Sequence, residues 1–332
     1  MESTNFIKNF KRALPHLTPN AFEEAALALF RFQATHNEVY RRYLGHLRCH
    51  SDQVVHLHQI PFLPIEFFKH HRVVSTSVPP EVVFESSGTT GQIRSRHFVA
   101  DTAFYRTVAE TIFQRFYGPL DQYVVLALLP SYLERQNASL VWMVDHFIRQ
   151  TGHPDSGFYL HQTEELIRTL RRLQGGHRRV LLIGVTFALL DLADEYETDL
   201  SDVLVMETGG MKGRRRELLR EEVHARLCER FRLPSVHSEY GMTELLSQAY
   251  ARQDGLYETP AWMRVLLRDE RDPFDLSPNR RTGGINIIDL ANVDSCAFIE
   301  SADIGTYVHK NSFRVLGRMD QSDLRGCSLM TI

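Results

Sequence analysis

Residues 84–97 of the chain read FESSGTTGQIRSRH and follow the apolar residues Val82 and Val83. A β-branched apolar run that stops at a cluster of Ser, Gly and Thr predicts a strand followed by a loop. Glycines allow the backbone to approach a ligand closely, so that its N–H groups can converge on phosphate oxygens. Hydroxyl side chains add donors, and Arg94 and Arg96 add positive charge. We therefore expect a phosphate-binding loop rather than a flexible turn, formed by Ser86, Ser87, Gly88, Thr89, Thr90 and Gly91.

Outward from this loop, segments typical of strands and of helices alternate along the chain. Residues 19–47 have apolar positions at helical spacing and predict one long helix or two short ones. Beyond about residue 245 the pattern changes to short β-like pieces. This order predicts an α/β protein with more than one sheet. The predicted helices are 102–117, 139–151, 185–196 and 214–231, and the predicted strands are 123–130, 178–184 and 202–210.

The composition limits the classes of function. The 332 residues are 43% hydrophobic and 24% charged, which is the mix of an ordinary globular protein. A net charge of −3 argues against nucleic acid or a membrane surface as a partner. The 4 cysteines lack CxxC spacing, and the 16 histidines complete no metal-binding pattern. No signal peptide or stretch of bilayer-spanning length is evident, so we expect a cytoplasmic protein.

A second cluster, SEYGMTE at 238–244, joins an aromatic ring, a glycine, a hydroxyl and a carboxylate. Tyr240 beside Gly241 can flank a flat ring, and Thr243 can donate to a phosphate. Glu244 can hold a Mg²⁺ ion near that phosphate. The alternative is an ordinary turn into a helix, in which Thr243 caps the helix and Glu244 lies in its first turn.

Two further segments lie towards the end of the chain. ADIGTYV at 302–308 predicts an acidic loop before a strand, in which Asp303 can accept hydrogen bonds from ribose hydroxyls. The alternative for Asp303 is a solvated residue in a hairpin. VLGRMDQSDLRG at 315–326 predicts a strand that runs into a polar turn.

In this order, the four segments resemble the motifs of the adenylate-forming superfamily, which includes acyl-CoA synthetases, peptide-synthetase adenylation domains and luciferases. The resemblance implies ATP and Mg²⁺ as cofactors and a large domain of stacked mixed sheets in an αβαβα arrangement. That domain would occupy residues 1–316, with a helical part at 1–80, and residues 317–332 would be a hinge stub and tail. Because the chain stops six residues after Gly326, the resemblance also implies that the mobile C-terminal domain of the superfamily is missing.

The same resemblance implies a role for each matching residue. The residues at 86–91 would surround the phosphates of ATP, although the usual lysine of that loop is absent. Tyr240 and Gly241 would flank the adenine, Thr243 would contact the α-phosphate, and Glu244 would hold Mg²⁺. Asp303 would bind the ribose, and Arg318 would lie at the hinge near the nucleotide.

Within the superfamily, the chain is most similar to the acyl-protein synthetases of bacterial bioluminescence, the LuxE-like fatty-acid ligases. FESSGTTGQIRSRH (84–97), ETGGMKGR (207–214), SEYGMTELLSQAY (238–250) and LRGCSL (324–329) carry this likeness. It implies a fatty or other carboxylic acid as substrate and transfer of the acyl group to Cys327 or to an acyl-carrier, acyltransferase or reductase protein. The expected catalytic residues are then Thr90, Glu244 and Cys327. The alternatives are a ligase that uses coenzyme A or another small nucleophile, and a non-catalytic scaffold subunit.

Overall fold

The computed structural model describes residues 2–86, 93–129, 137–160, 162–209, 218–309 and 312–319. The chain forms two compact units. The first consists of residues 1–81, 91–100 and 259–332, and the second of residues 82–90 and 101–258. Within the described ranges, no helix combines the length and apolar character needed to cross a membrane.

The helices and strands alternate through most of the chain. The α-helices in the described ranges are α1 Glu2–Ala13, α2 Phe22–His36, α3 Glu38–His46, α4 Phe67–His70, α5 Thr102–Tyr117, α6 Ser139–Thr151, α7 Thr163–Leu173, α8 Thr186–Glu195 and α9 Arg220–Phe231. The strands are β1 Leu63–Pro64, β2 Val82–Glu85, β3 Arg96–Val99, β4 Tyr123–Leu128, β5 Gly157–Phe158, β6 Arg179–Gly184, β7 Val203–Glu207, β8 His237–Tyr240, β9 Ala249–Ala251, β10 Tyr257–Glu258, β11 Met263–Arg268, β12 Thr282–Asp289, β13 Phe298–His309 and β14 Ser312–Arg318.

The second unit is built on a mixed sheet with the strand order β10-β9-β8-β7-β6-β4-β5. Strands β4 to β8 pair in parallel, and β9 and β10 join antiparallel. Every residue of β4 and β7 is buried, as expected for parallel strands covered on both faces. Helices α6, α8 and α9 follow β4, β6 and β7 along the chain. The carboxyl ends of these parallel strands therefore lie at one edge of the sheet.

The first unit contains the antiparallel strands β11 to β14, with β1 parallel to β13. Helices α2 and α3 pack on this sheet, where the rings of Phe30 and Tyr40 contact that of Phe298. Gln33 Nε2 donates to the carbonyl of Asn292 at 2.8 Å, so α2 also holds the turn between β12 and β13. The N-terminal helices and the late strands thus share one core.

Asn37 explains why residues 19–47 form two helices. Its backbone is extended, which ends α2, and its side-chain oxygen accepts the N–H of Tyr40 at 3.0 Å, which caps α3. Its side-chain nitrogen donates to the carbonyl of Ser295 at 3.0 Å. Tertiary interactions therefore decide between the two alternatives that the helical spacing left open.

The prediction of an α/β protein is confirmed, as are helices at 102–117 and 139–151. The strand predicted over 202–210 is shorter and ends at Glu207. The prediction that Asp303 lies in a loop before a strand is wrong, because Asp303 lies inside β13. Its strand pairs with β12 on one side and β14 on the other, and a single sequence pattern does not reveal this pairing.

Candidate active site

The candidate site of the second unit lies where its parallel strands end. In open α/β sheets, ligands bind in the crevice outside the carboxyl ends of the strands. Here β6 ends at Gly184, β7 at Glu207 and β8 at Tyr240. The segments that follow these ends carry the hydroxyl, carboxylate and glycine residues described below.

The strand before the expected phosphate loop is firmly anchored in the second unit. Phe84 on β2 is fully buried, with its ring centroid 5.3 Å from that of Tyr105 and 5.9 Å from that of Trp142. The N–H of Glu85 donates to the carbonyl of Asn137 at 2.9 Å. Ser86 follows directly and is half-buried. The predicted residues Ser87, Gly88, Thr89, Thr90 and Gly91 lie outside the described residues.

Tyr240 ends β8, and the segment 241–248 connects it to the antiparallel strand β9. Tyr240 is 8% exposed, and the centroid of its ring lies 5.6 Å from that of Tyr257 on β10. No helix begins at Thr243 or Glu244. The alternative of a capped helix at this motif is therefore wrong, and the motif is the loop of a β-hairpin.

Glu244 lies in this hairpin loop and is only 4% exposed. Within the described ranges, no group of three His, Cys, Asp or Glu side chains could enclose a metal ion. Mg²⁺ usually binds through one or two carboxylates, several waters and substrate phosphates rather than in an all-protein cage. A single carboxylate in this loop therefore fits a Mg²⁺ ion that arrives with nucleotide phosphates.

In the first unit, the structure brings together two predicted residues, Asp303 and Arg318. They are opposite each other in the antiparallel pair β13–β14, with Arg318 Nε 3.5 Å from Asp303 Oδ1. The Asp303 side chain is 13% exposed and that of Arg318 is 73% exposed. The carboxylate is thus held in the sheet while the guanidinium extends into solvent.

Sequence reasoning missed Glu207 at the end of β7. Its Oε2 accepts a hydrogen bond from Thr186 Oγ1 at 2.9 Å and another from the N–H of Gly209 at 2.6 Å. Its Oε1 lies 3.6 Å from Arg220 Nε and 3.8 Å from His224 Nε2, which are electrostatic contacts beyond hydrogen-bond distance. Glu207 thereby ties the starts of α8 and α9 to the turn after β7.

Glu239 on the neighbouring strand β8 is a second buried carboxyl group. Burial alone would raise the pKa of Glu207, but His224, Arg220, Ser238 and the N–H of Gly209 lower it to about 2. Burial and the negative charge of Glu207 raise the pKa of Glu239 to about 8. At neutral pH the first group is therefore ionised and the second protonated. Buried carboxyl groups with pKa values shifted apart are typical of functional sites.

The segment ETGG at 207–210 contains a local signal for this cluster. Like 84–91, it places a carboxylate at the last position of a strand and follows it with hydroxyl and glycine residues. Gly209 has a φ of +69°, which favours glycine and lets its N–H turn back to Glu207. The partners Thr186, Arg220 and His224 are distant in sequence, and no local pattern links them to Glu207.

Neither a scan against protein-family models nor a search of curated proteins gives a match. Solved structures do share the fold. A 2-hydroxyisobutyryl-CoA ligase aligns with a TM-score of 0.65 at 16% identity, covering 90% of this chain and 68% of that one.

Two further ligases align over smaller shares. The O-succinylbenzoate coenzyme A synthetase of Bacillus subtilis has a TM-score of 0.50 at 19% identity, covering 75% of this chain and 51% of that one. A long-chain-fatty-acid-CoA ligase of Archaeoglobus fulgidus has a TM-score of 0.53 at 13% identity, covering 75% and 53%. The aligned part of this chain spans about half the length of these two proteins. The chain therefore has the fold of the large domain of adenylate-forming ligases.

Proposed function

We propose that this protein activates a carboxylic acid with ATP and then transfers the acyl group to a cysteine thiol. In the first step, a carboxylate oxygen bonds to the α-phosphorus of ATP. The bond from that phosphorus to its bridging oxygen breaks, and pyrophosphate leaves with the electron pair. The product is an acyl-adenylate, a mixed anhydride that a thiol can attack.

The observation that carries this proposal is the motif Tyr240-Gly241-Met242-Thr243-Glu244 at the carboxyl end of β8, in a fold shared with CoA ligases. One of these ligases was captured with its acyl-AMP and CoA. An edge of strand ends is also the expected ligand position in an α/β sheet. These facts support a nucleotide at this edge, with its adenine against the Tyr240 ring.

The remaining residues are assigned by the chemistry of the nucleotide. Thr243 would donate to the α-phosphate, and Glu244 would hold a Mg²⁺ ion that neutralises phosphate charge. Asp303 would accept hydrogen bonds from the ribose hydroxyls, with Arg318 beside it. Positioning and charge neutralisation supply most of the catalysis in such a step. The phosphates would lie on the loop formed by Ser86, Ser87, Gly88, Thr89, Thr90 and Gly91.

Cys327, which lies outside the described residues, is the proposed acyl acceptor. Its thiolate would bond to the acyl carbon of the adenylate, the anhydride C–O bond would break, and AMP would leave. The other cysteines are poorly suited to this role, because burial raises the pKa of Cys49 and Cys228 and raises that of Cys296 to about 12. A thiol rather than a thiolate is a weak nucleophile.

Coenzyme A is the second candidate acceptor, because one structure with this fold contains an acyl-AMP together with CoA. A thiol of CoA would replace Cys327 in the same step and would give a free acyl-CoA. A reductase or acyl-carrier partner would not be needed for that product. A non-catalytic scaffold is the third candidate.

The test is carboxylate-dependent exchange of labelled pyrophosphate into ATP, measured over a series of fatty and other carboxylic acids with Mg²⁺. We expect exchange with at least one class of acid and none without acid. A folded protein that supports no exchange with any acid would contradict the proposal and favour a scaffold. Addition of CoA then separates the two acceptors, because a CoA ligase releases acyl-CoA whereas an acyl-protein synthetase retains the acyl group.

A further inference from the structure

Strand β13 contains an irregularity at Asp303. In its ladder with β12, Gly284 pairs with Ile304, and the next pair joins Asn286 to Glu300. One residue of β12, Ile285, therefore lies opposite a bulge formed by Ser301, Ala302 and Asp303. Bulges of this kind change the direction of a side chain and are common beside active sites.

The guanidinium of Arg268 fills this bulge from the end of β11. Its Nη1 donates to the carbonyl of Ile285 at 3.0 Å and to Asn286 Oδ1 at 3.0 Å. Its Nη2 donates to the carbonyl of Ser301 at 2.7 Å. The planar, fork-like donors of Arg268 thus join both strands at the position where the regular ladder is interrupted.

The position of Arg268 is closely determined by its surroundings. Its side chain is almost fully buried, with Nε 3.5 Å from Glu300 Oε1. A β-carbon on Gly284 would lie 2.5 Å from the guanidinium carbon, so only glycine leaves room for it. Burying a charged group is unfavourable unless it is paired and hydrogen-bonded, and Arg268 meets both conditions.

A short chain of hydrogen bonds leads from this guanidinium to Asp303. Ser301, whose carbonyl Arg268 holds, accepts the N–H of Asp303 on its Oγ at 3.1 Å. The same Oγ donates to the carbonyl of Ile285 at 2.8 Å. On the other side of the bulge, the N–H of Met319 donates to the carbonyl of Ala302 at 2.7 Å. Both sides of the bulge are therefore fixed.

We infer that Arg268 is a positioning residue: it builds the β13 bulge and so directs the Asp303 carboxylate toward the ribose of the bound nucleotide. The inference rests on the proposed function, in which Asp303 binds the ribose hydroxyls. Arg268 itself contacts no substrate. Without the Arg268 side chain, Asp303 would remain in the strand, but its carboxylate would no longer point toward the ribose.

The test is the ratio of the dissociation constants of 2′-deoxyATP or 3′-deoxyATP to that of ATP, measured by calorimetry on the full chain. A hydrogen bond to a charged group corresponds to about a tenfold preference or more, so wild type should prefer ATP by about that factor. Asp303→Ala, which removes the acceptor, should abolish the preference. Arg268→Met should abolish it too, and Arg268→Lys should not restore it, because one ammonium lacks the planar fork.

The matched control is Arg264→Met on the same strand, since Arg264 stacks on Phe22 and does not contact the bulge. It should retain the wild-type ratio. If Arg268 only supported stability, its loss would weaken binding of all three nucleotides equally and leave the ratio unchanged. Ser301→Ala, a milder change in the same hydrogen-bond chain, should lower the ratio even if Arg268→Met does not fold.

The outcomes separate this inference from the function on which it rests. A folded Arg268→Met or Ser301→Ala protein with the wild-type ratio would overturn the positioning role, while loss of the preference in Asp303→Ala would still support the ribose site. Wild-type protein that binds ATP without preferring it to the deoxynucleotides would overturn both roles. Absence of ATP binding would contradict the proposed function itself.

Discussion

Glu207 and Glu239 lie on the neighbouring strands β7 and β8, and their pKa values are shifted in opposite directions, to about 2 and about 8. The first carboxyl group is stabilised as an anion by hydrogen-bond donors from α8 and its own turn and by the nearby positive charge of Arg220 on α9. The pKa of the second is raised by burial and by the negative charge of the first. This contrast makes the two groups experimentally separable, because Glu207 is opposite Ser238 in the β7–β8 ladder and the side chain of Glu239 therefore lies on the other face of the sheet.

Glu207→Gln removes the anion that faces Arg220 and His224 and that accepts the Thr186 and Gly209 hydrogen bonds. We expect the free energy of unfolding to fall by about 2 kcal/mol, because hydrogen bonds to a buried charge are worth more than neutral ones. Urea unfolding measures the change. The control is Glu38→Gln, which breaks only the exposed pair with Arg42 and should have a far smaller effect. Equal effects of the two substitutions would contradict the role of Glu207.

Glu239→Gln should alter the pH dependence of stability between the ordinary carboxyl pKa of 4.5 and the raised value of about 8. In that window the folded protein keeps a proton that the unfolded chain releases, so wild-type stability falls as the pH rises. The variant lacks this loss, so its free energy of unfolding should rise relative to that of wild type by up to about 1.4 kcal/mol per pH unit. Unfolding curves recorded at several pH values give the slope.

Glu207→Gln is the control for that experiment, because the contribution of Glu207 to the pH dependence of stability has the opposite sign. Because the folded pKa of Glu207 is lowered to about 2, its stabilisation is present above pH 4.5 and is lost as the pH falls toward 2. The difference between this variant and wild type should therefore change with pH in the acid range, and again toward pH 8, because loss of the Glu207 charge also lowers the pKa of Glu239. Profiles for both variants that run parallel to wild type would rule out the assigned pKa shifts.

Gly91→Val tests the phosphate loop. A β-branched side chain would occupy space that the backbone needs to approach phosphate, so ATP affinity should fall at least tenfold while the protein remains folded. Gly45→Val in α3 is the control, because a β-carbon there meets no atom within 4 Å. Calorimetric titration with ATP measures the affinity. Unchanged binding in a folded Gly91→Val protein would refute the loop assignment.

Glu244→Gln tests the magnesium role. Two negative groups repel each other unless a cation lies between them, so the variant should need more Mg²⁺ and exchange pyrophosphate more slowly. The exchange rate as a function of Mg²⁺ concentration measures this. Glu258→Gln, an exposed residue on β10, should match wild type. A Glu244→Gln protein with the wild-type Mg²⁺ dependence would leave this carboxylate with a structural role only.

Cys327→Ala tests the acyl acceptor. After incubation with ATP, Mg²⁺ and an acid that supports exchange, intact mass should reveal a hydroxylamine-labile acyl adduct on wild type. The adduct should be absent from Cys327→Ala, which should still exchange pyrophosphate. Cys49→Ala and Cys228→Ala should retain it. An adduct that persists in Cys327→Ala would exclude this cysteine as the acceptor.

Local sequence patterns predicted elements whose formation depends on nearby residues. Helix α6 follows from apolar spacing, and its end at Gly152 follows from a left-handed glycine with a φ of +57°. The same reasoning placed Asp303 in a loop, because a bulged strand combines small and acidic residues as a turn does. The bulge is stabilised by Arg268, which lies on β11, and only the folded chain brings the two segments together.

The Glu207 cluster shows the same limit at the candidate site. The sequence at 207–210 predicts the end of a strand. The two helices that supply Thr186, Arg220 and His224 come close to Glu207 only in the folded chain, so no local pattern predicts these contacts. The motif at 240–244 was recognisable because its residues are contiguous. Its hairpin conformation was not, because a Thr followed by Glu is also typical of a helix start.

The bulge in β13 places three residues opposite a single residue of β12, so it adds two residues to the strand. Since side chains alternate between the faces of a strand, the residues on either side of the bulge keep their original faces. Shortening β13 by those two residues would preserve which residues point into the core, whereas removing one would turn the rest of the strand over. The bulge that carries Asp303 is thus compatible with the alternation of the sheet, but its loss would leave the buried guanidinium of Arg268 without the carbonyl of Ser301, so the bulge and Arg268 can only be lost together.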